Sequence, residues 1–318
     1  MQITSNTQAF IEAEITSDFI LLNLHDGLLP GTFYRDVKDF GQGNTLLIKT
    51  IGSVTLQEAQ EDTPLTYNPI ETGEIQFSIT EYKGDAWYVT DDLREDGNNI
   101  ERLMSERAVE STRAIQETFE SDFLSTGAKY YATGGAGAAS PNLINAQPHM
   151  IPSTATNNVF ELSQLIKAKL SFNKANVPDT GRVFICDSVV EATLNGLVQI
   201  THDVTPFGQQ ILEGGMARGQ QFIMSLYGFD IITSNRLHVA DYSDGTTAIT
   251  AGVGNLAMCI LDDQTKPIMG AWRRMPKAEG ERNKDRARDE FVVRARYGLG
   301  IQRVDTMICL PTNATDIV

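Results

Sequence analysis

Cysteine is scarce in this chain, with three in 318 residues. Cys186, Cys259 and Cys309 each sit inside an apolar run, and no second Cys or His lies at ligand spacing. That pattern excludes a disulfide framework and a zinc cage and predicts buried free thiols made in a reducing compartment. Histidine is almost as rare: His25, His149, His202 and His238 include no pair at the i,i+4 helical step of a metal site. The two acid–base suspects, His202-Asp203 and His238 with Asp241, lie in loops rich in Gly, Thr and Ser, where a solvated ring is the expected state. No Gly-x-Ser-x-Gly elbow is present for a serine nucleophile. The Gly134-Gly135-Ala136-Gly137 run has the wrong glycine spacing for a phosphate loop, and Pro141 stands where a helix should begin. Asp241-Tyr242-Ser243-Asp244-Gly245 lacks the downstream Glu of a calcium loop and reads as tight turns. Catalytic, cofactor-binding and metal residues are therefore all assigned as none, and the chain is expected not to be an enzyme. No stretch approaches the roughly 20 apolar residues of a membrane span. Met1-Gln2-Ile3-Thr4-Ser5 also lacks the basic-then-apolar order of a secretory signal.

What is present is an ordinary globular composition, 41% apolar and 21% charged, long enough for about two domains. Its net charge of −15 is divided unevenly. Residues 266–303 hold 11 basic and 5 acidic side chains, whereas residues 1–265 carry a net −19. An acidic protein does not wrap nucleic acid through counterion release. Blocks of opposite sign suit head-to-tail contact between copies, because complementary patches steer association and fix register.

Along the chain, 7–24 predicts a short helix that Gly27, Pro30 and Gly31 end, leaving an extended arm. Thr45–Ile51 predicts a strand. Residues 74–82 answer it with a clean period of two, Ile75, Phe77 and Ile79 against Gln76, Ser78 and Thr80. Between them, 57–72 carries Glu58, Glu61, Asp62 and Glu71 with two prolines, the composition of a solvated or partner-facing hairpin end. Asp96-Gly97-Asn98-Asn99 then supplies cap chemistry for an amphipathic helix of about 26 residues, with Ile100, Leu103, Met104, Ala108, Ile115, Phe119 and Phe123 on one face. It is expected to stop at Ser125-Thr126-Gly127.

Farther on, 160–170 predicts a helix with Leu162, Leu165, Ile166 and Leu170 on its packed side. Residues 181–186 predict a buried strand, and 189–195 a short helix ended by Gly196. An irregular surface loop is expected at 197–220, with strands at 229–234 and 255–261. A final strand pair is expected at 291–297 and 304–310, its first member alternating Arg294 and Arg296 with Val293, Ala295 and Tyr297. The arginine-rich stretch before it admits three readings: a nucleic-acid surface, a mobile solvated loop, or a partner for the acidic hairpin end of a neighbour. Interleaved Glu279, Glu281, Asp285, Asp289 and Glu290 weaken the first. The third assigns inter-subunit contacts to Glu58, Glu61, Asp62 and Glu71 on one side and Arg273, Arg274, Arg282, Arg286 and Arg288 on the other.

Two local runs, Tyr227-Gly228-Phe229-Asp230-Ile231-Ile232-Thr233-Ser234-Asn235 and Asp289-Glu290-Phe291-Val292-Val293-Arg294-Ala295-Arg296-Tyr297-Gly298, combine with the order of elements to give a resemblance. The chain resembles the major capsid proteins of tailed bacteriophages, whose members often carry a D-x-F-x-x-R-x-R-Y/F-G run before the final strand. The resemblance implies an α+β fold with an N-terminal arm (1–40), an extended β-hairpin loop (41–90) and a peripheral domain (91–180) that includes a long spine helix at 98–125. An axial domain (181–265) follows, and 266–318 returns to the peripheral domain. It implies self-assembly into hexamers and pentamers of an icosahedral head enclosing double-stranded DNA, without sequence-specific binding or a membrane.

A scaffolding protein, a portal and a cement or decoration protein are the implied partners. Synthesis in the host cytoplasm and residence in the virion are implied as well. No cofactor is implied. Relatives with a cleaved helical scaffolding segment carry it ahead of the arm. Here the hairpin begins near residue 44, so a separate scaffold or prior processing is expected. The hairpin end has no Lys, with Lys49 and Lys83 near its base, so no covalent cross-link is expected. An encapsulin-type nanocompartment shell is the alternative on the same fold.

Overall fold

The computed structural model describes residues 28–29, 31–38, 43–51, 72–96, 100–135, 143–201, 225–244 and 246–313, together with residue 315 and parts of 56–70. The expected helix at 7–24 and the loop at 202–220 lie outside the described residues. Nine strands of five or more residues organise the rest: β1 (Thr45–Ile51), β2 (Thr72–Ser78), β3 (Glu81–Thr90), β4 (Arg182–Cys186), β5 (Phe229–Thr233), β6 (Gly252–Cys259), β7 (Ile268–Asn283), β8 (Arg288–Ile301) and β9 (Met307–Thr312). Among the described residues four α-helices accompany them: α1 (Asp91–Asp96), α2 (Ile100–Lys129), α3 (Leu162–Lys174) and α4 (Ser188–Thr201). The class is α+β.

The inner sheet holds β6, β4 and β5, with β9 paired to β6 and two-residue strands at both edges. Its strands alternate between two cores. Val183, Ile185, Leu256, Met258, Met307 and Cys309 face one side, where α2 supplies Phe123, Leu124 and Ala128. Phe184, Cys186, Ala257, Cys259, Ile308 and Leu310 face the other, covered by Leu165, Phe172, Val190 and Leu194 of α3 and α4. Burial on both faces explains why these strands read as continuous apolar runs. All three cysteines are free and buried here.

The outer sheet runs Arg35–Asp36, β7, β8, β3. The final strands therefore do not pair with each other as the sequence predicts. β8 pairs with β7 and β3, and β9 leaves for the inner sheet. Charge decides the split. Arg294 and Arg296 keep one face of β8 toward solvent while Val293, Ala295 and Tyr297 are fully buried, whereas β9 is buried at all six residues. Nor is the arginine-rich stretch a loop: it is β7, accommodated by irregularities in pairing between Trp272 and Arg274 and between Arg274 and Lys277, next to Pro276.

Helix α2 joins the two sheets. Ile115 and Phe119 pack on the outer one, with Phe119 lying 4.5 Å from the Trp272 ring and 5.0 Å from that of Tyr297. The helix continues past its expected stop because Gly127 is enclosed. A Cβ there would sit 3.0 Å from Met307 Sδ and 3.1 Å from Leu256 Cδ1, so glycine permits close packing instead of ending the helix. Its N-terminal half stands clear of the core, with Leu103 and Val109 exposed. α4 likewise runs through Gly196 to Thr201. α3 turns only part of the predicted face inward: Leu165 is fully buried and Leu162 packs beside it, but the buried stripe runs on through Gln164, Ala168, Ser171 and Phe172, and Ile166 and Leu170 are half exposed.

Candidate assembly surface

β1 and β2 form an isolated two-stranded hairpin in the register Thr45↔Ser78 to Ile51↔Thr72. A free hairpin is marginal in water, so its base must be anchored. Phe77 supplies the anchor, only 1% exposed among Val37, Met269 and Ala271. The cross-strand pairs Leu46↔Phe77 and Ile48↔Ile75 extend that contact outward. The predicted second strand, 74–82, breaks at Ile79-Thr80, and Tyr82 belongs to β3. There the chain crosses into the outer sheet hard against Gly298, where a Cβ would lie 2.5 Å from the Ser78 carbonyl oxygen.

Beyond the base the apolar cover ends. Leu47 and Ile51 are exposed on the second face, and Leu56, Tyr67 and Ile70 are 91%, 98% and 81% exposed. Glu58, Glu61 and Asp62 stand in the same stretch, all exposed; Glu71 lies outside the described residues. Scattered exposed leucines need no explanation, but an arm whose apolar side chains are left this bare marks a surface to be covered.

The basic residues divide into two groups. Arg282 makes two hydrogen bonds to the Asp91 carboxylate and a third, at 3.3 Å, to Asp289, which Arg94 also pairs at 2.6 Å. The Arg282 hydrogen bond holds Asp91 below the usual carboxylate range and raises Arg282 itself. Arg288 donates to Glu290 at 2.7 Å and lies 4.4 Å over the Tyr88 ring. Glu290 is lowered by that bond first and by Asn283 second. The Arg286 backbone N–H closes the β7–β8 turn onto Asn283.

The second group lies at the other end of β7. Arg273, Arg274 and Arg296 line a cleft of about 520 Å³ with Thr80 and Tyr82. Arg274 pairs across the sheet with Arg296, which pairs with Tyr82, so three strands bring these side chains into one row. Arg274 donates to Glu279 at 2.7 Å and Arg296 to Asn44 at 3.0 Å. Arg296 is the arginine of this cleft that the predicted contacts miss, together with Thr80 and Tyr82. Its alternation with buried neighbours signals an exposed face, but only the pairing register reveals its companions.

The other polar clusters hold structure together. Glu120, 5% exposed, accepts the Leu29 N–H at 3.0 Å and the Ser234 hydroxyl at 3.1 Å, and pairs with Arg236 at 3.5 Å. It fastens the segment before the outer sheet to α2 and to the end of β5. His149 is buried between the carbonyls of Gln147 and Asp305, and burial lowers its pKa. His238 is also lowered, by desolvation and then by Lys129. His25 and His202 lie outside the described residues. Asp241 and Asp244 accept N–H groups from Ser243, Thr246 and Thr247, the tight turns that the sequence predicts. Among the described residues no cluster of three or more His, Cys, Asp or Glu could hold a metal.

A family model described as "Phage capsid protein" matches residues 72–308. No curated protein sequence matches the chain. Among solved structures, it superposes on the capsid of cyanophage P-SCSP1u with a TM-score of 0.69 at 17% identity, over 98% of this chain and 94% of that one. The mature capsid of bacteriophage PhiM1 gives 0.69 at 11% identity, over 96% and 93% of the two chains. A Mycobacterium phage Che8 chain gives 0.66 at 15%, over 94% and 97%. At such identities the likeness establishes a shared capsid fold, and the match across 72–308 establishes kinship: the chain belongs to the phage capsid protein family.

Proposed function

We propose that this chain is the major capsid subunit of a tailed-phage head, closing as hexamers and pentamers into an icosahedral shell around double-stranded DNA. The observation that carries the reading is the bare hairpin. Its base is anchored by Phe77, while Leu56, Tyr67 and Ile70 extend into solvent. Within one chain that arrangement leaves apolar surface in water; between copies it supplies a contact. Each contact is small, and repetition around a closed shell makes the sum strong.

In this reading 41–90 is the extended loop, 98–125 the spine, 181–265 the axial domain and 266–318 the return to the peripheral domain. The acidic groups Glu58, Glu61, Asp62 and Glu71 face basic groups of a neighbour. The protein's work is assembly rather than catalysis. A separate scaffold or prior processing guides assembly, a portal completes the head, and non-covalent contacts or a cement protein hold the shell, which is built in the host cytoplasm. Kinship with phage capsid proteins favours this over the nanocompartment alternative.

Deleting 57–72 tests it. The truncated chain should fold, since the deleted stretch contributes no buried residue among those described. It should then fail to close shells in negative-stain images; normal particles from it refute the mechanism.

A further inference from the structure

We propose that the solvent face of the outer sheet around Lys277, Arg294, Arg296 and Arg274 binds the sugar–phosphate backbone of duplex DNA without reading its sequence. The pairing register builds two rows there, Tyr82–Arg296–Arg274 and Gly84–Arg294–Lys277, each with one residue from β3, β8 and β7. Each row sets two cations directly opposite one another, which opposes sheet formation. The irregular pairing of β7 produces this arrangement. A regular step of two from Arg274 would bring Pro276 opposite Arg294, and the extra residue brings Lys277 there instead. The irregularity before it leaves Arg273 as an extra residue, so Arg273 and Arg274 both reach the cleft that Arg296 lines. Bulges of this kind re-aim side chains and gather beside functional sites. Two in succession that concentrate positive charge point to an anion as the completing partner.

The acidic residues that interleave with these cations in sequence are sorted away from them by the same register. Glu281 pairs with Glu290 farther along the sheet, beside Arg288, while Arg94 and Arg282 take up Asp91 and Asp289. Of the acidic residues in β7 and β8, Glu279 alone adjoins the two rows, bonded to Arg274. Arg296 donates to Asn44, a neutral acceptor that leaves its charge uncancelled, and Arg273 is engaged within the chain as well. Lys277 and Arg294 are exposed and, among the described residues, make no ion pair. Lys277, Arg294 and Arg296 thus keep their charge in a protein whose net charge is −15.

Gly84 leaves room for the long side chains: a Cβ there would sit 3.3 Å from Arg294 Cγ, so the Arg294 stem lies across bare backbone. Tyr82, 59% exposed, adds a hydroxyl at the end of the other row. The rows stand about 7 Å apart at the usual strand rise, which suits the repeating anions of a polymer better than one free phosphate. Guanidinium forks match phosphate oxygens in two-point fashion. A flat sheet face puts no element into a groove, so contact is with phosphates and carries no sequence information. The negative charge of the whole chain confines the contact to a short run of phosphates. The inference concerns a single subunit and does not rest on the shell reading.

The test is fluorescence anisotropy of a short labelled duplex with the unassembled full chain. The wild type should bind at low salt, with log affinity falling against log salt at a slope of about −3, near 0.9 for each of three phosphate contacts. Lys277→Gln with Arg294→Gln should cut that slope to about −1. Lys167→Gln with Lys174→Gln, the same change of charge at exposed positions of α3, should bind as the wild type does. A duplex of unrelated sequence should bind equally, and polyphosphate should displace either one. No binding at low salt, equal loss in the two paired variants, or a strong preference for one duplex overturns the proposal. Displacement by inorganic phosphate as effective as by polyphosphate, at equal phosphate concentration, assigns the face to a small free anion and overturns it too. Binding of a peptide spanning 57–72 with none of the duplex overturns it in favour of contact between copies. A chain that binds duplex but never closes shells supports this inference and defeats the shell reading alone.

Discussion

Ile70 is 81% exposed and Phe77 is 1% exposed, so two apolar residues of one hairpin should report on two different processes. Fully burying an aliphatic side chain stabilises by about 1.5–3 kcal/mol. If a neighbour covers Ile70, Ile70→Ser removes about 2 kcal/mol from each subunit's contacts. At about 1.4 kcal/mol per tenfold, the onset concentration of assembly rises roughly thirty-fold. The unassembled subunit should hardly notice, because exposed substitutions cost within about 0.5 kcal/mol. Phe77→Ser should behave oppositely: it empties a site among Val37, Met269 and Ala271 and lowers folding stability by about 3 kcal/mol or more. Light scattering against protein concentration measures the first effect, and calorimetry of unassembled subunits the second. An unmoved onset for Ile70→Ser, or an unfolding temperature lowered as far as by Phe77→Ser, refutes the reasoning.

Glu120→Ala should destabilise the subunit by about 1–3 kcal/mol by leaving the buried Ser234 hydroxyl and the Leu29 N–H without their acceptor, Arg236 keeping its second carboxylate at Glu117, while Glu120→Gln keeps part of the network. Calorimetry ranks the two, and equal stabilities contradict the assignment. Gly298→Ala should cost about 1–3 kcal/mol, because the new Cβ meets the immovable backbone of Ser78 and Ile79 at 2.5 and 2.8 Å. Burial pushes the Cys186 and Cys309 thiols well above their ordinary range, so native protein should resist maleimide at neutral pH and react only on unfolding. Native-state labelling of either residue contradicts that. Asp91 and Glu290 ionise at lower pH folded than unfolded, so their contribution is complete above the ordinary carboxylate range and is lost as pH falls through their folded values. Arg282→Ala removes the Asp91 share, so its unfolding temperature should fall less steeply with acid than the wild type's; parallel curves contradict the linkage.

Much of the fold was legible in the residues, and the failures have physical causes. β1 and β4 follow from β-branched or apolar runs of the right length. β7 was hidden by Arg273, Arg274, Met275, Pro276 and Lys277, a mixture that only a strand with irregular pairing on a surface sheet tolerates. Gly127 looked like a helix stop because glycine ends helices in solvent, whereas here it admits Met307 and Leu256 to close contact. On α3, Leu162 and Leu165 pack inward as their pattern predicts, and polarity hid the rest of the buried stripe. Gln164 is buried because its amide donates to the Ile151 carbonyl while its oxygen accepts the Glu161 N–H. Ser171 is buried because it donates to the Pro148 carbonyl.

The acidic hairpin end was readable from local composition. The cleft was not, since the row Arg274, Arg296, Tyr82 exists only through strand register. Arg282 and Arg288 are tied to Asp91, Asp289 and Glu290, as Arg274 is to Glu279, and none of these pairings shows in the sequence.

The account depends on apolar and charged surfaces of one subunit being completed by identical subunits. Imaging the purified full-length chain by cryo-electron microscopy at assembly concentration tests this most directly. Closed shells in which density for residues 56–70 lies against an adjacent subunit are the predicted result. A monomer whose hairpin is packed onto its own outer sheet would contradict it.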